Sequence, residues 1–293
     1  MALNLVNIKT IYAEDPKLEE KDVKSLVKWV QNQPHLPKIG DFEAIFFLKK
    51  SGYRLGHVQT TVDTFFTLKN LWPDVFLERN FAKTPQQQGI LDTMVMMVLP
   101  KRTPEGYAII FMKPLSPNMI NYKIETLYKY VYMACLLDVY QKGPANGHII
   151  VYDIQHFPEC FIPKMEYSFF KKFFYYDYEV IPIMQVKEMH IYNTNPRMDE
   201  IVAVFEATAL KPLLPLIIVH ESLDDLMKYV PKEYLPQDCG GLLEPVGTLH
   251  EKNKSQLLKN GEFFDSFDQL VVDESKRPAN NTIAQNMFGF QKK

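Results

Sequence analysis

The spacing of apolar residues predicts that the first third of the chain is helical. Four apolar residues recur at intervals of three and four positions, as on one face of an amphipathic helix: Val23, Leu26, Val27 and Val30. Asp15 and Pro16 have the residue types of an N-cap and a first helical turn, and Pro34 and Pro37 follow the helix. Two more helices are predicted, over residues 42–50 and along an apolar face between positions 55 and 66.

After about residue 92 the pattern changes to short apolar runs that have the length of strands. Five of these runs are predicted strands, at residues 94–99, 107–112, 148–154, 189–193 and 216–219. A helix between the second and third runs carries one apolar face: Ile124, Leu127, Tyr128, Val131, Cys135 and Val139. Because parallel strands need long crossovers, this alternation predicts an α/β domain with a mixed, largely parallel sheet.

The same patterns predict three segments in the chain. Residues 1–90 form a helical N-terminal module and residues 91–249 form the α/β domain. Residues 250–293 are more polar, and we expect a C-terminal tail that packs on the surface or is partly mobile.

Composition and charge narrow the classes of protein. With 33 basic and 35 acidic residues, the net charge of -2 gives no overall attraction to nucleic acid or to anionic membranes. Three widely spaced cysteines predict neither a disulfide framework nor a zinc site, which fits a reducing compartment. The N-terminus lacks the apolar core of a signal peptide, and no run approaches the ~18 residues of a membrane span. A cytoplasmic protein is therefore expected.

The content of aromatic residues and methionine is the most informative feature of the composition. The chain has 20 Phe, 16 Tyr and 13 Met, and such side chains line apolar pockets as well as large cores. Composition alone leaves both interpretations open.

Common catalytic signatures do not occur in the sequence. It contains no GxGxxG, P-loop, HExxH or GxSxG segment. Asp153, His156 and Cys160 lie close together, but members of a catalytic triad are seldom near in sequence, and a turn role for Asp153 is favoured. We expect no catalytic site, cofactor or metal; an α/β hydrolase is an alternative.

Several segments resemble, in order and spacing, the CRAL-TRIO family of lipid carriers, which includes Sec14-type, α-tocopherol-transfer and retinaldehyde-binding proteins. Residues 46–76 are similar to the helical N-terminal module of that family. The segment IVYD at 150–153 resembles its third strand, and MHIYNTNP at 189–196 resembles a strand end with His, two apolar residues, Asn and Pro. Residues 219–241 resemble its last strand, a short helix and a Gly-Gly pair. The tocopherol-transfer and retinaldehyde-binding members resemble the chain most.

The resemblance implies that the sheet floors a cavity for one hydrophobic lipid, such as a tocopherol, a retinoid or a carotenoid, which the protein transfers between membranes. Pattern and resemblance together give eleven candidate cavity residues: Tyr132, Leu136, Ile150, Tyr152, Phe169, Phe173, Met189, Ile191, Ile201, Phe205 and Ile218. The resemblance also implies that residues 196–214 include a mobile helix that covers the cavity. Its apolar face would contact membranes through Met198, Ile201, Val202, Val204 and Phe205.

Basic residues that bind phosphoinositide in tocopherol-transfer-type members are mostly replaced here. At the four corresponding positions only Lys187 is basic, and the neighbouring Lys211 is a further candidate contact. The expected partners are thus a hydrophobic lipid and, transiently, a membrane surface, with phosphoinositide as an open question. No nucleic acid is expected, and the protein is expected to be a monomer. Alternatives are a phospholipid exchanger or sensor and a scaffold whose cavity its own side chains fill.

Overall fold

A five-stranded sheet lies at the centre of the fold. In the computed structural model, which describes residues 3–115, 123–155, 167–193, 203, 207 and 214–290, the strands are β1 (Met94–Val98), β2 (Tyr107–Pro114), β3 (Gly147–Asp153), β4 (Val186–Tyr192) and β5 (Ile217–Val219). Their order in the sheet is their order in the chain. β1 and β2 are antiparallel, whereas the other neighbouring pairs are parallel. The predicted α/β class with a largely parallel sheet is confirmed.

In the part of the chain that the structure describes, six α-helices precede the sheet. They are α1 (Ile8–Glu14), α2 (Glu20–Gln31), α3 (Asp41–Lys50), α4 (Leu55–Leu71) and the short α5 (Pro73–Phe76) and α6 (Pro85–Gln88). Helix α2 buries Val23, Leu26 and Val30, as the apolar spacing predicts. The prediction that Asp15 caps this helix is wrong, because Asp15 is the C-cap of α1. Its carboxylate instead accepts a hydrogen bond from the hydroxyl of Tyr53, which joins α1 to the end of α3.

Two helices, α7 (Ile124–Lys142) and α8 (Tyr167–Glu179), lie over one face of the sheet. Helix α7 is buried on nearly all sides, since it also packs against the N-terminal helices. The ring of Tyr132, for example, meets that of Phe76 edge to face at 5.3 Å between centroids. Neither α7 nor any other helix in the described ranges is long and apolar enough to cross a membrane.

The opposite face of the sheet is covered by α9 (Leu223–Leu226), by the segment that follows it and by the start of α10 (Val246–Lys259). Strand residues such as Val95, Phe111 and Val151 pack there against Leu235. The Gly-Gly pair has a steric reason, because a Cβ at Gly241 would lie 1.9 Å from the carbonyl oxygen of Leu235. The sheet is thus buried on both faces, as parallel sheets are.

The C-terminal segment is partly helical and packs against the N-terminal helices. It contains most of α10 and then α11 (Gly261–Asp268), and it buries Leu257, Phe264, Phe267 and Met287 in the core shared with the N-terminal helices. The Lys69 ammonium donates hydrogen bonds of 2.7 Å to the carbonyls of Phe267 and Leu270. Polar residues between positions 252 and 262 dominate the sequence pattern, but the apolar residues among and after them face inward.

Candidate functional site

A cavity lies between the sheet and the layer formed by α7 and α8. Because side chains alternate along a strand, Ile150 and Tyr152 of β3 point to the same face as Met189 of β4. Strands, helices and the turn before β4 all contribute to the wall: Met112, Tyr128, Val131, Ile150, Tyr152, Phe173, Phe174, Asp177, Met184, Val186, Met189, Leu216 and Ile217. Apart from two tyrosine hydroxyls and one carboxyl group, these side chains are apolar.

The cavity is small and is partly filled by aromatic side chains. Its volume is about 70 Å³, whereas pockets for drug-sized ligands measure roughly 300–1,000 Å³. The rings of Tyr128 and Phe173 are only 3.7 Å apart between centroids. A bound lipid would therefore require these rings, or other parts of the wall, to move.

Four of the eleven predicted cavity residues line this space. They are Ile150, Tyr152, Phe173 and Met189, and they come from β3, α8 and β4. Five others lie outside its wall: Tyr132, Leu136, Phe169, Ile191 and Ile218. The remaining two, Ile201 and Phe205, are outside the described residues.

Local geometry explains why some predicted residues are elsewhere. In the pairing of β4 with β5, Met189 lies opposite Ile217 and both line the cavity. Ile218 pairs with His190, and alternation directs it to the other face of the sheet. The ring of Phe169 packs against Trp72, with 5.1 Å between centroids.

The sequence held a signal for some of the wall residues that the prediction missed. Tyr128 and Val131 belong to the apolar face that predicts helix α7, and they line the cavity. Asp177 follows Phe173 and Phe174 at helical spacing in α8, so that all three share one face. A single acidic residue on such an apolar face indicates a polar group directed into a pocket.

Asp177 is the acidic residue of the cavity wall. It is 1% exposed, and its Oδ1 atom has no hydrogen-bond partner among the residues that the structure describes. Burial in this apolar environment raises the pKa of Asp177 to about 6, although the nearby charge of Lys50 opposes the increase. The carboxyl group is therefore mostly ionised at neutral pH.

Lys50 of α3 joins the end of α8 to the turn before β4. Its ammonium donates hydrogen bonds to the main-chain carbonyls of Asp177, at 2.5 Å, and of Met184, at 3.1 Å. Burial lowers the pKa of Lys50 to about 8, so that it is still largely charged at neutral pH. The ammonium thus serves two backbone oxygens.

Asp153, the acidic residue of the possible catalytic cluster, is occupied by structural contacts. Its carboxylate lies 2.7 Å from the Lys113 ammonium and accepts hydrogen bonds from the Asn193 amide at 2.9 Å and the Gln155 backbone N–H at 3.1 Å. These contacts fix the end of β3, which agrees with the turn role. His156 and Cys160 lie outside the described residues.

A buried pair of histidines lies on the sheet face opposite the cavity. His190 Nδ1 is 2.9 Å from His220 Nε2, and His190 Nε2 is 3.0 Å from a Glu188 carboxylate oxygen. Desolvation lowers the pKa of both histidines. Within the described ranges, no group of three or more His, Cys, Asp or Glu side chains is arranged to hold a metal ion.

The residues predicted for membrane contact lie mostly outside the described residues. These are Met198, Ile201, Val202, Val204, Phe205 and the candidate phosphoinositide contact Lys211. Lys187 is among the described residues and lies half-buried in β4. Its side chain packs closely against Gly147, since a Cβ atom on Gly147 would lie 2.4 Å from the Lys187 Cγ. Its role in binding a headgroup stays a prediction.

Comparison with known proteins identifies the family. A model of the CRAL/TRIO domain matches residues 92–241, just over half of the 293 residues. The chain belongs to the CRAL/TRIO family. The predicted resemblance is therefore confirmed, and the cavity lies within the matched part. A second model, described as the Pinta-like UBA domain, matches residues 15–85.

Other comparisons of this CRAL/TRIO chain are less informative. The crystal structure of Sfh5 matches it with 11% sequence identity and a TM-score of 0.45, over 87% of this chain and 96% of that chain. The comparison with curated proteins gave no match. CRAL/TRIO membership supports lipid binding as the general function. The predicted boundaries at residues 90 and 249 stay predictions.

Proposed function

We propose that this CRAL/TRIO protein carries one apolar lipid in the cavity between the sheet and helices α7 and α8, and transfers it between membranes. The observation that carries the proposal is the cavity wall, in which ten apolar residues accompany Tyr128, Tyr152 and Asp177. Such a site excludes water from a hydrophobic ligand and offers few polar contacts. A tocopherol, a retinoid, a carotenoid or a similar lipid fits this chemistry.

Binding requires the cavity to expand, because its volume is about 70 Å³. The rings of Tyr128 and Phe173, which are tilted by 38° to each other, are the side chains that a ligand would displace first, since both line the cavity and are in close contact. A ligand can replace the contacts that these rings lose with apolar contacts of its own. The closed cavity then corresponds to one state of a protein whose ligand selects a more open one.

Residues 196–214 are the proposed cover of the cavity and its contact with membranes. Exposure of five apolar side chains at roughly 1.5–3 kcal/mol each would make complete opening in water cost on the order of 8–15 kcal/mol, an upper bound. At a bilayer surface these side chains remain in an apolar environment, so that opening there costs much less. The proposal thus includes transient membrane contact by a cytoplasmic monomer. Lys187 and Lys211 are its candidate phosphoinositide contacts.

The proposed function contains no covalent step. The carboxylate of Asp153 is engaged by Lys113 and Asn193, which supports a structural role for this acid. Binding and release of lipid are therefore the complete proposed activity, and an α/β hydrolase is disfavoured.

The small cavity also supports a second candidate function, that of a scaffold with a filled cavity. In this case Tyr128 and Phe173 would be permanent parts of the core, and no ligand would displace them. The two candidates differ in one measurable property, which is whether the protein takes up a lipid.

Native mass spectrometry of the protein purified from cells tests the proposal, followed by organic extraction and identification of any bound molecule. The expected result is one apolar lipid per chain. A phospholipid would instead favour the exchanger alternative. A protein without lipid, which also takes up no tocopherol, retinal, carotenoid or phosphatidylinositol from vesicles, would favour the scaffold.

A further inference from the structure

The ionisable group that the proposed function leaves without a role is the carboxyl of Asp177. Buried charged groups in proteins are normally paired or hydrogen-bonded, because an isolated buried charge is costly. Within the described ranges Asp177 departs from this rule, since it is 1% exposed and its Oδ1 atom has no partner there. An acid in this state needs a contact that a ligand could supply.

Lys50 does not provide that contact. Its ammonium points to the backbone carbonyls of Asp177 and Met184. Among the described residues, no side chain forms an ion pair with the Asp177 carboxylate. Asp177 thus lines the cavity from helix α8, and the ammonium of Lys50 hydrogen-bonds to main-chain oxygens and not to the Asp177 carboxylate.

We propose that Asp177 accepts a hydrogen bond from the hydroxyl group of the bound lipid, so that the cavity selects lipid alcohols over the corresponding aldehydes, ketones, esters and acids. This inference rests on the proposed function and adds the chemical class of the ligand. Its basis is that Asp177 lines an otherwise apolar cavity and has a buried carboxylate oxygen without a hydrogen-bond partner among the described residues.

Hydrogen-bond chemistry separates the alcohols from the other four classes. A hydroxyl donates to the carboxylate and forms a charge-assisted bond. An aldehyde, ketone or ester has only acceptor oxygens, so that Asp177 would stay unpaired and face another oxygen. A fatty or retinoic acid would add a second negative charge beside the first. Sites that pair a buried group with a ligand hydroxyl reject analogues without it.

The tyrosines in the wall do not remove this preference. Burial, followed by the charge of Asp177, raises the pKa of Tyr128 well above its ordinary value, so that its phenol stays protonated. A phenol can donate to a hydroxyl oxygen as well as to a carbonyl oxygen, and therefore favours neither alcohol nor aldehyde. Discrimination between them depends on Asp177.

Two series of ligands test the inference. The first comprises retinol, retinal and retinoic acid, which share one hydrocarbon skeleton and are followed by their absorbance and fluorescence. The second comprises cholesterol, cholestenone and cholesteryl acetate, as radiolabelled compounds. The proteins are the wild type, Asp177→Leu, Asp177→Asn and the control Asp224→Asn, which removes an exposed acid.

In the series that binds, the wild type and Asp224→Asn are expected to bind the alcohol roughly tenfold or more tightly than the other members. Asp177→Leu should lose this preference through weaker binding of the alcohol. Asp177→Asn should reduce the preference for the alcohol, because the Asn amide can also donate a hydrogen bond to the carbonyl oxygen of the aldehyde or ketone. If Asp177→Leu does not fold, as circular dichroism would show, Asp177→Asn decides the result.

Equal affinities within the binding series, or a preference that survives in Asp177→Leu and Asp177→Asn, would overturn this inference and leave lipid carriage intact. Failure of the wild type to bind tocopherol or any member of either series would contradict both the inference and the proposed lipid carriage. The two failures are thus distinguishable.

Discussion

The guanidinium of Arg277 lies 2.7 Å from the carboxylate of Asp63, and this buried ion pair joins the C-terminal segment to helix α4. Asp63 has two more partners, because His35 Nε2 lies 2.9 Å away and the Asn281 amide donates to it at 2.6 Å. Arg277 also donates to the Thr67 hydroxyl at 2.7 Å. The network makes the last described residues part of the N-terminal helical layer.

Arg277→Leu is expected to lower the free energy of unfolding by about 3 kcal/mol, because it leaves a buried carboxylate without its cationic partner. Burial alone would raise the pKa of Asp63, but hydrogen bonds from Arg277, His35 and Asn281 lower it overall. The ionised Asp63 thus stabilises the folded protein at neutral pH, and this stabilisation is lost as the pH falls through the lowered pKa of Asp63. Chemical denaturation at several pH values measures it.

Lys276→Leu is the matched control for this prediction. Lys276 neighbours Arg277 and pairs with Asp273 at 2.9 Å, but both side chains are largely exposed. Exposed ion pairs contribute little, so that no measurable change is expected. Similar small effects of both substitutions would mean that the C-terminal segment is not held by the Asp63 network.

Met189→Trp is expected to fill the cavity and block lipid uptake. Met189 lines the cavity and is 9% exposed, so that a larger side chain there occupies the space a ligand would use. Overpacking should cost about 1–3 kcal/mol of stability. Lipid uptake from labelled vesicles is the measurement, with thermal unfolding as the check on folding.

Val219→Trp on strand β5 is the control for the added indole, because Val219 is 45% exposed and lies outside the cavity wall. It should bind lipid as the wild type does. Undiminished uptake by a folded Met189→Trp variant would show that the lipid binds outside this cavity.

Asp177→Asn is expected to change stability in a pH-dependent manner. Burial raises the pKa of Asp177 to about 6, so that the folded protein holds this proton more tightly than the unfolded chain. Protonation of Asp177 therefore stabilises the folded protein. This stabilisation is fully present below the ordinary pKa of the carboxyl group and is lost as the pH rises through about 6. Relative to the wild type, the variant should therefore gain stability as the pH rises.

The expected gain is about 2 kcal/mol between about pH 4.5 and about pH 7. Unfolding free energies of both proteins at each pH give this difference. Lys50 of α3, Tyr128 of α7 and Tyr152 of β3 also contribute charged or titratable groups near this site, and all are retained in the variant. A difference that does not depend on pH would contradict a buried, titrating Asp177.

The sequence predicted the sheet well, because the apolar runs around Ile150 and Met189 are short and are separated by clear helical patterns. It predicted the cavity only in part. The positions of Ile150 and Met189 in the wall follow from strand alternation. On α7 the sequence predicted Tyr132, whereas Tyr128 lines the cavity, because the rotation of the helix against the sheet decides which tyrosine faces it. Tyr132 packs against Phe76 of α5, a tertiary contact that local spacing does not contain.

The role of Arg277 could not be predicted, because its partner Asp63 is 214 positions away in the sequence. A polar segment with few apolar residues resembles a mobile tail until its tertiary contacts are known. The same limit applies to Asp177, whose neighbour Lys50 comes from a helix in the N-terminal layer.

Val204→Asp is expected to slow lipid transfer between vesicles while equilibrium binding remains. Residue 204 lies in the proposed cover, on the apolar face that would enter the bilayer surface. A charge there must be dehydrated when the cover inserts, which raises the cost of the open state on the membrane. The closed state in water should change less if the residue lies near the edge of the cavity. A fluorescence-quenching assay between donor and acceptor vesicles gives the transfer rate.

Val204→Leu separates the effect of charge from that of shape, since it preserves an apolar side chain and should transfer lipid at a rate close to that of the wild type. Loss of equilibrium binding in Val204→Asp, with binding intact in Val204→Leu, would indicate that residue 204 lines the cavity and does not face the membrane. Unchanged transfer by Val204→Asp would contradict the assignment of residues 196–214 as the membrane-opened cover, because a charge on an inserting face cannot be without cost.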